Sequence, residues 1–366
     1  MATPFHVIVD DALDTRPRGL TPYARGLLPA LLAARPGGVD VVGFVSSTTQ
    51  TEDEEIERLL PGLVRLQRSP LSHRQLAAAW QHGFTPPLGG MVHSPSLFAP
   101  LSRRGDQTVV SVHDAIAWAE PETLEGAASW YRGMAKRADR FADAVVVPSH
   151  AVAIALSAQS LFEGRMRVIP GAVTPGLVVG DDAADRRAAL GVPERYIASA
   201  ATLNPRKGLR ELLTAIRDLD IPLVLTGPST WRGATLDAAV TEAGLSESRV
   251  IELSSVEAGD LAAVLTGAVA FVEPSRLEGF GADVLDAMSV GTAAVVTDDP
   301  ALMELVVDAA RVVPREDLAD GLRHALEDLL DDADSVRRLG VAGQDRARAF
   351  SWRDTAERIW QLHADV

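Results

Sequence analysis

Short apolar runs alternate with helical segments along the whole chain. In the first half the runs are HVIV, VDVVGFV, MVHSP, TVVSVHD and AVVVPS; in the second they are YIASAAT, PLVLTG, RVIEL, VAFVEPS and AAVVTD. Continuous apolar runs rich in β-branched residues predict strands covered on both faces, as in parallel sheets wound by right-handed crossovers. The rhythm occurs twice, which predicts an α/β protein of two Rossmann-like, doubly wound domains. Between them, RVIPGAVTPGLVVGDDAADRRAALGV is punctuated by Pro170, Gly171, Pro175, Gly176 and Gly180 and sustains no strand pattern. The boundary is expected near Val179, giving an N-terminal domain of residues 1–178 and a C-terminal domain of residues 179–350. The end, FSWRDTAERIWQLHADV, is amphipathic, with Ser351 and Asp354 spaced as a capping box before Ile359 and Leu362. Residues 351–366 therefore predict a separate last helix.

Composition narrows the function. A chain of 366 residues suits two cores, and two domains imply a cleft between them. The apolar fraction of 47% and the lack of low-complexity tracts predict a folded chain. A formal charge of −15 and a pI near 5.0 argue against a nucleic-acid partner, because phosphate backbones must be met by clustered Lys and Arg. With no cysteine there are no disulfides, thiol nucleophiles or thiolate metal sites. The start MATPFHVIVDDALD shows no basic region followed by an apolar stretch, and no apolar run reaches membrane-spanning length. A cytoplasmic protein is expected. The basic cluster YRGMAKRADR, Tyr131 to Arg140, reads first as solvated surface, and it leaves open a weak peripheral association with the inner face of a membrane.

The chemistry concentrates in EPSRLEGFGADVLDAMSVGTAAVVTDD, Glu273 to Asp299. A strand runs into the loop RLEGFG, which opens at the start of the helix ADVLDAMSV. Helix N-termini favour anions, and Gly279 and Gly281 let phosphate oxygens approach the backbone. Glu278 stands on the loop's lip, and Asp286 follows two turns along the helix, near the same side. In isolation Glu278 reads as a cap and Asp286 as a solvated helix face. Their place at the carboxyl end of a strand, where open α/β sheets bind ligands, favours a site. A second loop, in SAATLNPRKGLRELLTAI, places Arg206 and Lys207 before another expected helix start. Backbone N–H groups from one loop and cations from the other would together cradle a diphosphate.

These residues resemble the retaining glycosyltransferases of the GT-B fold, in the large group called glycosyltransferase family four. The stretches EPSRLEGFGADVLDAMSVGTAAVV, TLNPRKGLRELLTA, DTRPRGLTPYARGLLPAL, VSVHDAIAW, VVVPSHAVA, ALMELVVDAA and FSWRDTAERI are similar to family landmarks in the family's order, over nearly the whole chain. The resemblance implies two domains facing a cleft, the first binding acceptor and the second nucleotide sugar, with the last helix crossing back to the first. It implies that Lys207 binds the nucleotide diphosphate, that Glu278 contacts the donor sugar's hydroxyls, and that Gly279, Phe280 and Gly281 offer backbone N–H groups. Position 286 would hold the ribose, Gly19 would face the diphosphate and His113 would sit beside the transferred sugar. Catalytic weight falls on Glu278, His113 and Lys207.

Three departures stand out. The second acid of the motif is normally Glu and here is Asp286. The arginine that many members carry ahead of the lysine falls on Thr202, leaving Arg206 as the spare cation. The N-terminal loop reads GLTPYA where a second glycine is often found.

His113, at the end of an apolar strand, reads by itself as a structural histidine; its position and Asp114 favour a role, with Asp114 or a backbone group fixing the tautomer. The pairs Asp181–Asp182, Asp298–Asp299 and Asp331–Asp332 give no metal site, since capping explains the one at a strand end.

The expected activity is transfer of a sugar, GDP-mannose being the first donor to consider, to a glycan, glycolipid or small-molecule hydroxyl with retained anomeric configuration. The nucleotide sugar is a substrate, and neither cofactor nor metal is expected. Two rivals stay open: a non-catalytic sugar-nucleotide or glycan-binding protein, and a nicotinamide-dependent oxidoreductase, against which the missing G-x-G-x-x-G after the first strand counts.

Overall fold

The computed structural model describes residues 3–13, 20–84, 88–102, 107–124, 126–253 and 256–366. They fall into two compact units, Met1–Pro175 with Phe350–Val366, and Gly176–Ala349. The chain passes from one to the other at Pro175–Gly176, slightly ahead of Val179.

In the first unit, β1 (Thr3–Ile8), β2 (Val39–Val45), β3 (Arg65–Arg68), β4 (Met91–Ser94), β5 (Gln107–Ser111), β6 (Ala144–Val147) and β7 (Met166–Val168) make one sheet in the order β3-β2-β1-β4-β5-β6-β7. Every neighbouring pair is parallel. The second unit contains β8 (Ile197–Ser199), β9 (Leu223–Leu225), β10 (Val250–Glu252), β11 (Phe271–Glu273), β12 (Ala294–Thr297) and β13 (Arg311–Val313), in the order β10-β9-β8-β11-β12-β13. These pairs are parallel too. Chain direction across the sheet reverses between β1 and β4, and again between β8 and β11. Open α/β sheets bind ligands at such a reversal, beyond the carboxyl ends of the strands.

The interior strands are buried over most of their length, and β6 and β12 over all of it, because helices cover both faces. Three strands escape the hydrophobic pattern: β3 reads RLQR, β7 MRV and β13 RVV. All three are sheet edges. An edge strand has a neighbour on one side only and is kept short and polar, so its periodicity is weak.

The last helix, Trp352–Asp365, packs within the first unit. Ile359 and Leu362 enter the core formed by Phe5, Leu27, Leu28 and Leu31, and the Trp360 indole donates to the Leu31 carbonyl at 3.0 Å. The Ser351 hydroxyl accepts from the Asp354 N–H at 3.1 Å. The reciprocal half of the expected capping box does not form. An Asp side chain is one methylene shorter than the Glu or Gln that closes such a box, and the Asp354 carboxylate instead lies 3.8 Å from Arg358.

This helix also carries a buried histidine contact. His363 Nε2 lies 3.3 Å from Nδ1 of His93 on β4, and its Nδ1 lies 3.2 Å from Gln107 Oε1 on β5. Burial pushes the His363 pKa down to about 3 and that of His93 well below its usual value, His363 adding to the latter. Both folded values lie below the unfolded value, so the stability linked to neutral imidazoles is complete above about pH 6.5 and declines as pH falls below it. Each such group contributes a slope of about 1.4 kcal/mol per pH unit. We expect His363→Leu to lose less stability than wild type between pH 7 and 5, by about that slope, in urea melts followed by Trp fluorescence. Parallel stability–pH curves would refute it.

Candidate functional site

The two loops named from the sequence follow β8 and β11, the adjacent strands at the reversal of the second sheet. After β8 the chain makes a 3-10 turn, Pro205–Lys207. The Asn204 side chain accepts from the Arg206 N–H at 3.1 Å, and the Asn204 carbonyl accepts from the Lys207 N–H at 2.8 Å. Gly208 then takes the left-handed conformation, φ +65°, before the helix Leu209–Ala215. This helix is only two turns long and begins beyond Gly208, so Arg206 and Lys207 precede it on a separate turn. The helix start expected after them is present, separated from Lys207 by Gly208 alone, and the turn before it carries the two cations.

After β11 the chain runs through Pro274 to Phe280, and Gly281, at φ +96°, is the N-cap of the helix Ala282–Ser289. The two loops are clamped together. The Arg276 N–H donates to the Arg206 carbonyl at 2.8 Å, and the Arg206 guanidinium donates to the Leu277 carbonyl at 2.7 Å.

At their junction lies an ion cluster. Lys207 Nζ is 2.6 Å from Glu278 Oε1, and Arg206 Nη1 is 3.0 Å from the same oxygen. Below them Glu273, buried at 1% exposure at the end of β11, has Oε1 3.9 Å from Lys207 Nζ and accepts a short hydrogen bond from the Ser275 hydroxyl. Burial alone would raise the pKa of Glu278, but Lys207 and Arg206 outweigh it and hold the carboxyl well below the usual range. Glu273 moves the other way, up to about 7: burial raises it, Lys207 only partly opposes this, and Glu278 and Asp283 add repulsion. Asp283 is exposed at the first turn of the helix yet backed by protein; that desolvation comes first, then Asp286 and Glu278 acting against Lys207, and its pKa is pushed up to about 6.

Of the residues named from the sequence, the structure brings Lys207, Arg206 and Glu278 into direct contact. Gly279 is buried and Phe280 half-buried on the same loop. Asp286 is 4% exposed, so it is not a solvated helix face. The Thr202 hydroxyl accepts from the Asn204 N–H at 3.3 Å and shapes the turn. His113 belongs to the first unit, half-buried after β5. Its Nε2 lies 2.6 Å from the Pro95 carbonyl, which can only accept, so Nε2 carries the proton and Nδ1 is left as an acceptor. The partner fixing the tautomer is therefore a backbone group; the Asp114 carboxylate accepts from the Ile116 N–H instead. Burial lowers the His113 pKa, which keeps the ring neutral at physiological pH. Gly19 lies outside the described residues.

Two acids of the cluster were not singled out from the sequence, Glu273 and Asp283. The signal for Glu273 was there: a carboxylate inside the apolar run VAFVEPS must be buried, and a buried carboxylate needs a partner. Among the described residues no group of three His, Cys, Asp or Glu side chains could hold a metal ion. Asp299 caps the helix Pro300–Val306, accepting from the Ala301 and Leu302 N–H groups.

Comparison with known proteins agrees with this organisation. Residues 17–176 match the family model described as Glycosyltransferase Family 4, and residues 182–346 that of Glycosyl transferases group 1. Each model thus falls almost wholly within one of the two units. The chain is 36% identical over 166 residues to the O-antigen chain mannosyltransferase B of Escherichia coli, 43% of either chain. It is 30% identical over 277 residues to the MMP alpha-(1->4)-mannosyltransferase of Mycolicibacterium hassiacum, 70% of this chain and 64% of that one. It spans less than two thirds of each of these relatives. The structure of Anabaena HepE in complex with UDP-glucose superposes with a TM-score of 0.76 at 16% identity, over 100% of both chains. The fold is that of the GT-B glycosyltransferases, two parallel-sheet Rossmann-like domains. Among the described residues no helix is long and apolar enough to cross a membrane.

Proposed function

We propose that this chain is a retaining GT-B glycosyltransferase that moves a sugar, with GDP-mannose as the leading donor, to a hydroxyl of a glycan, glycolipid or small molecule in bacterial cell-surface glycan assembly. The observation that carries the reading is the Lys207–Glu278–Arg206 cluster at the β8/β11 reversal: two cations held beside a carboxylate, where such sheets bind ligands. Relatives named mannosyltransferases support mannose as the sugar.

In this reading Lys207 and Arg206 receive the diphosphate, and Glu278, released from them, turns to the donor sugar. Negative charge grows on the leaving diphosphate as the sugar becomes oxocarbenium-like, so fixed cations stabilise the transition state more than the ground state. The backbone of Gly279 to Gly281 and the N-terminus of the helix Ala282–Ser289 add N–H donors, and Asp286 takes the ribose hydroxyls. His113, with Nδ1 as an acceptor, receives a hydroxyl hydrogen bond from the transferred sugar. None of these side chains acts as a covalent nucleophile, and the leaving phosphate takes the acceptor's proton. No divalent metal is invoked, because the two cations supply the charge.

The test is a thermal-shift screen of GDP-mannose, UDP-glucose, TDP-sugars and NADPH, followed by donor turnover with and without EDTA and NMR of the product's anomeric carbon. Stabilisation by GDP-mannose, turnover insensitive to EDTA and an α-linked product from the α-linked donor are expected. Binding without turnover on any acceptor would favour the non-catalytic reading. Loss of activity in EDTA, restored by Mn²⁺, would overturn the cation cradle.

A further inference from the structure

Of the two carboxylates in the ion cluster that the proposed reaction does not use, Asp283 is exposed and Glu273 is buried. Glu273 is sealed beneath the loops at 1% exposure, where solvent cannot screen it. Its fixed contacts are the Ser275 hydroxyl and, at 3.9 Å, the Lys207 ammonium. Other charged groups that act on Glu273 are Glu278 on the loop that follows it and Asp283 in the next helix; Arg206 acts on Lys207 and Glu278, and Glu278 on Asp299. Arg276 is turned away to Glu211 and the Arg315 carbonyl, and Arg315 to Asp298. Glu278 has two cations within 3.0 Å, so Glu273 depends on a more distant share of Lys207 alone.

An anion arriving at the loop must draw Lys207 toward itself and bring its own negative charge. Both changes act against an ionised, buried Glu273. We propose that Glu273 is a positioning residue for Lys207 that takes up a proton from solvent when an anionic diphosphate binds, coupling donor binding to pH. In the empty site its ionised form anchors the ammonium over the loop. In the filled site its neutral form leaves Lys207 wholly to the ligand, and the net charge of the site changes by one unit less than the ligand brings. The inference rests on the reading of this site as a diphosphate site.

The direction follows from linkage. A group that is ionised when free and protonated when bound makes affinity fall as pH rises, by up to about tenfold per pH unit. With the Glu273 pKa near 7 in the empty site, the fall begins about there. Below that pH Glu273 is already protonated and affinity levels off.

The experiment is calorimetry with GDP-mannose, whose diphosphate diester does not titrate in this range, at pH 6 to 8.5 in buffers of different ionisation enthalpy. At pH 8 wild type should take up about one proton per ligand, and Glu273→Gln close to none, with affinity that no longer depends on pH. Asp283→Asn should retain the uptake, which separates Glu273 from its neighbour. Should Glu273→Gln not fold, Ser275→Ala removes the hydroxyl donor that favours the ionised form, and the onset of the affinity loss should move to higher pH. Binding by wild type without proton uptake, uptake that survives in Glu273→Gln, or an unmoved onset in Ser275→Ala overturns the assignment while leaving the transferase reading standing. Failure of every nucleotide sugar to bind overturns both.

Discussion

Lys207→Ala should lower donor turnover, as kcat/KM, by about a hundredfold to a thousandfold while the protein stays folded. The first part follows from where the charge stands. Lys207 is the cation nearest Glu278, at 2.6 Å, and it is held over a reversal point of the sheet by the Asn204 turn. Removing one preorganised donor aimed at developing negative charge costs about 3–4 kcal/mol of barrier lowering in enzymes where this has been tested. The second part is less obvious, because removing one partner of a buried ion pair generally destabilises by about 3–5 kcal/mol. Here the loss is limited. Arg206 remains 3.0 Å from Glu278, and Glu273, already up at about 7, becomes neutral once Lys207 no longer opposes the shift. Protonating such a group near neutral pH costs little, so the melting temperature should change far less than activity does. Kinetics and thermal melts at pH 7 decide it. Wild-type turnover in Lys207→Ala would remove the cation cradle from the mechanism, and an unfolded protein would show that the cluster is mainly structural.

The contrast between Glu278 and Glu273 also shows what could be read from the sequence. Glu278 was visible because a glycine loop at a strand end is a local pattern, complete within a few residues. So were the central strands, whose burial on both faces leaves an unbroken apolar run. The edge strands β3, β7 and β13 were not visible, since a strand with one neighbour carries polar residues that look like loop. Pairing within the cluster was also hidden: Arg206 and Glu278 are separated by 72 residues, and only the adjacency of β8 and β11 brings them together. Reading Arg206 and Lys207 as free to meet a phosphate left out their internal counter-ion. The helix start after Lys207 was legible, because the apolar spacing of LRELLTAI begins there; the turn before it was not, and the positive φ of Gly208 is what separates Pro205–Lys207 from the helix Leu209–Ala215.

That same glycine carries the remaining large effect. Gly208→Ala should reduce kcat/KM by about tenfold to a hundredfold and destabilise the second unit by about 2–4 kcal/mol, through two separate causes. The left-handed conformation costs an L-residue with a side chain about 1 kcal/mol. The larger cause is contact: a Cβ at this position would collide with the carbonyl of Pro274, the residue between Glu273 and Ser275. The obstacle is backbone, so relief requires the two loops to part rather than a side chain to turn. Crowding of this kind typically costs about 1–3 kcal/mol. A shift of about 1 Å in catalytic geometry can cost about a hundredfold in rate. Gly191→Ala separates the causes, since Gly191 has φ +69° but nothing within 4 Å of an added Cβ. It should lose about 1 kcal/mol and keep full activity. Thermal melts and donor kinetics on both variants provide the check. If Gly208→Ala matches Gly191→Ala in both, the approach of the two loops at Pro274 is not what holds Lys207 against Glu278.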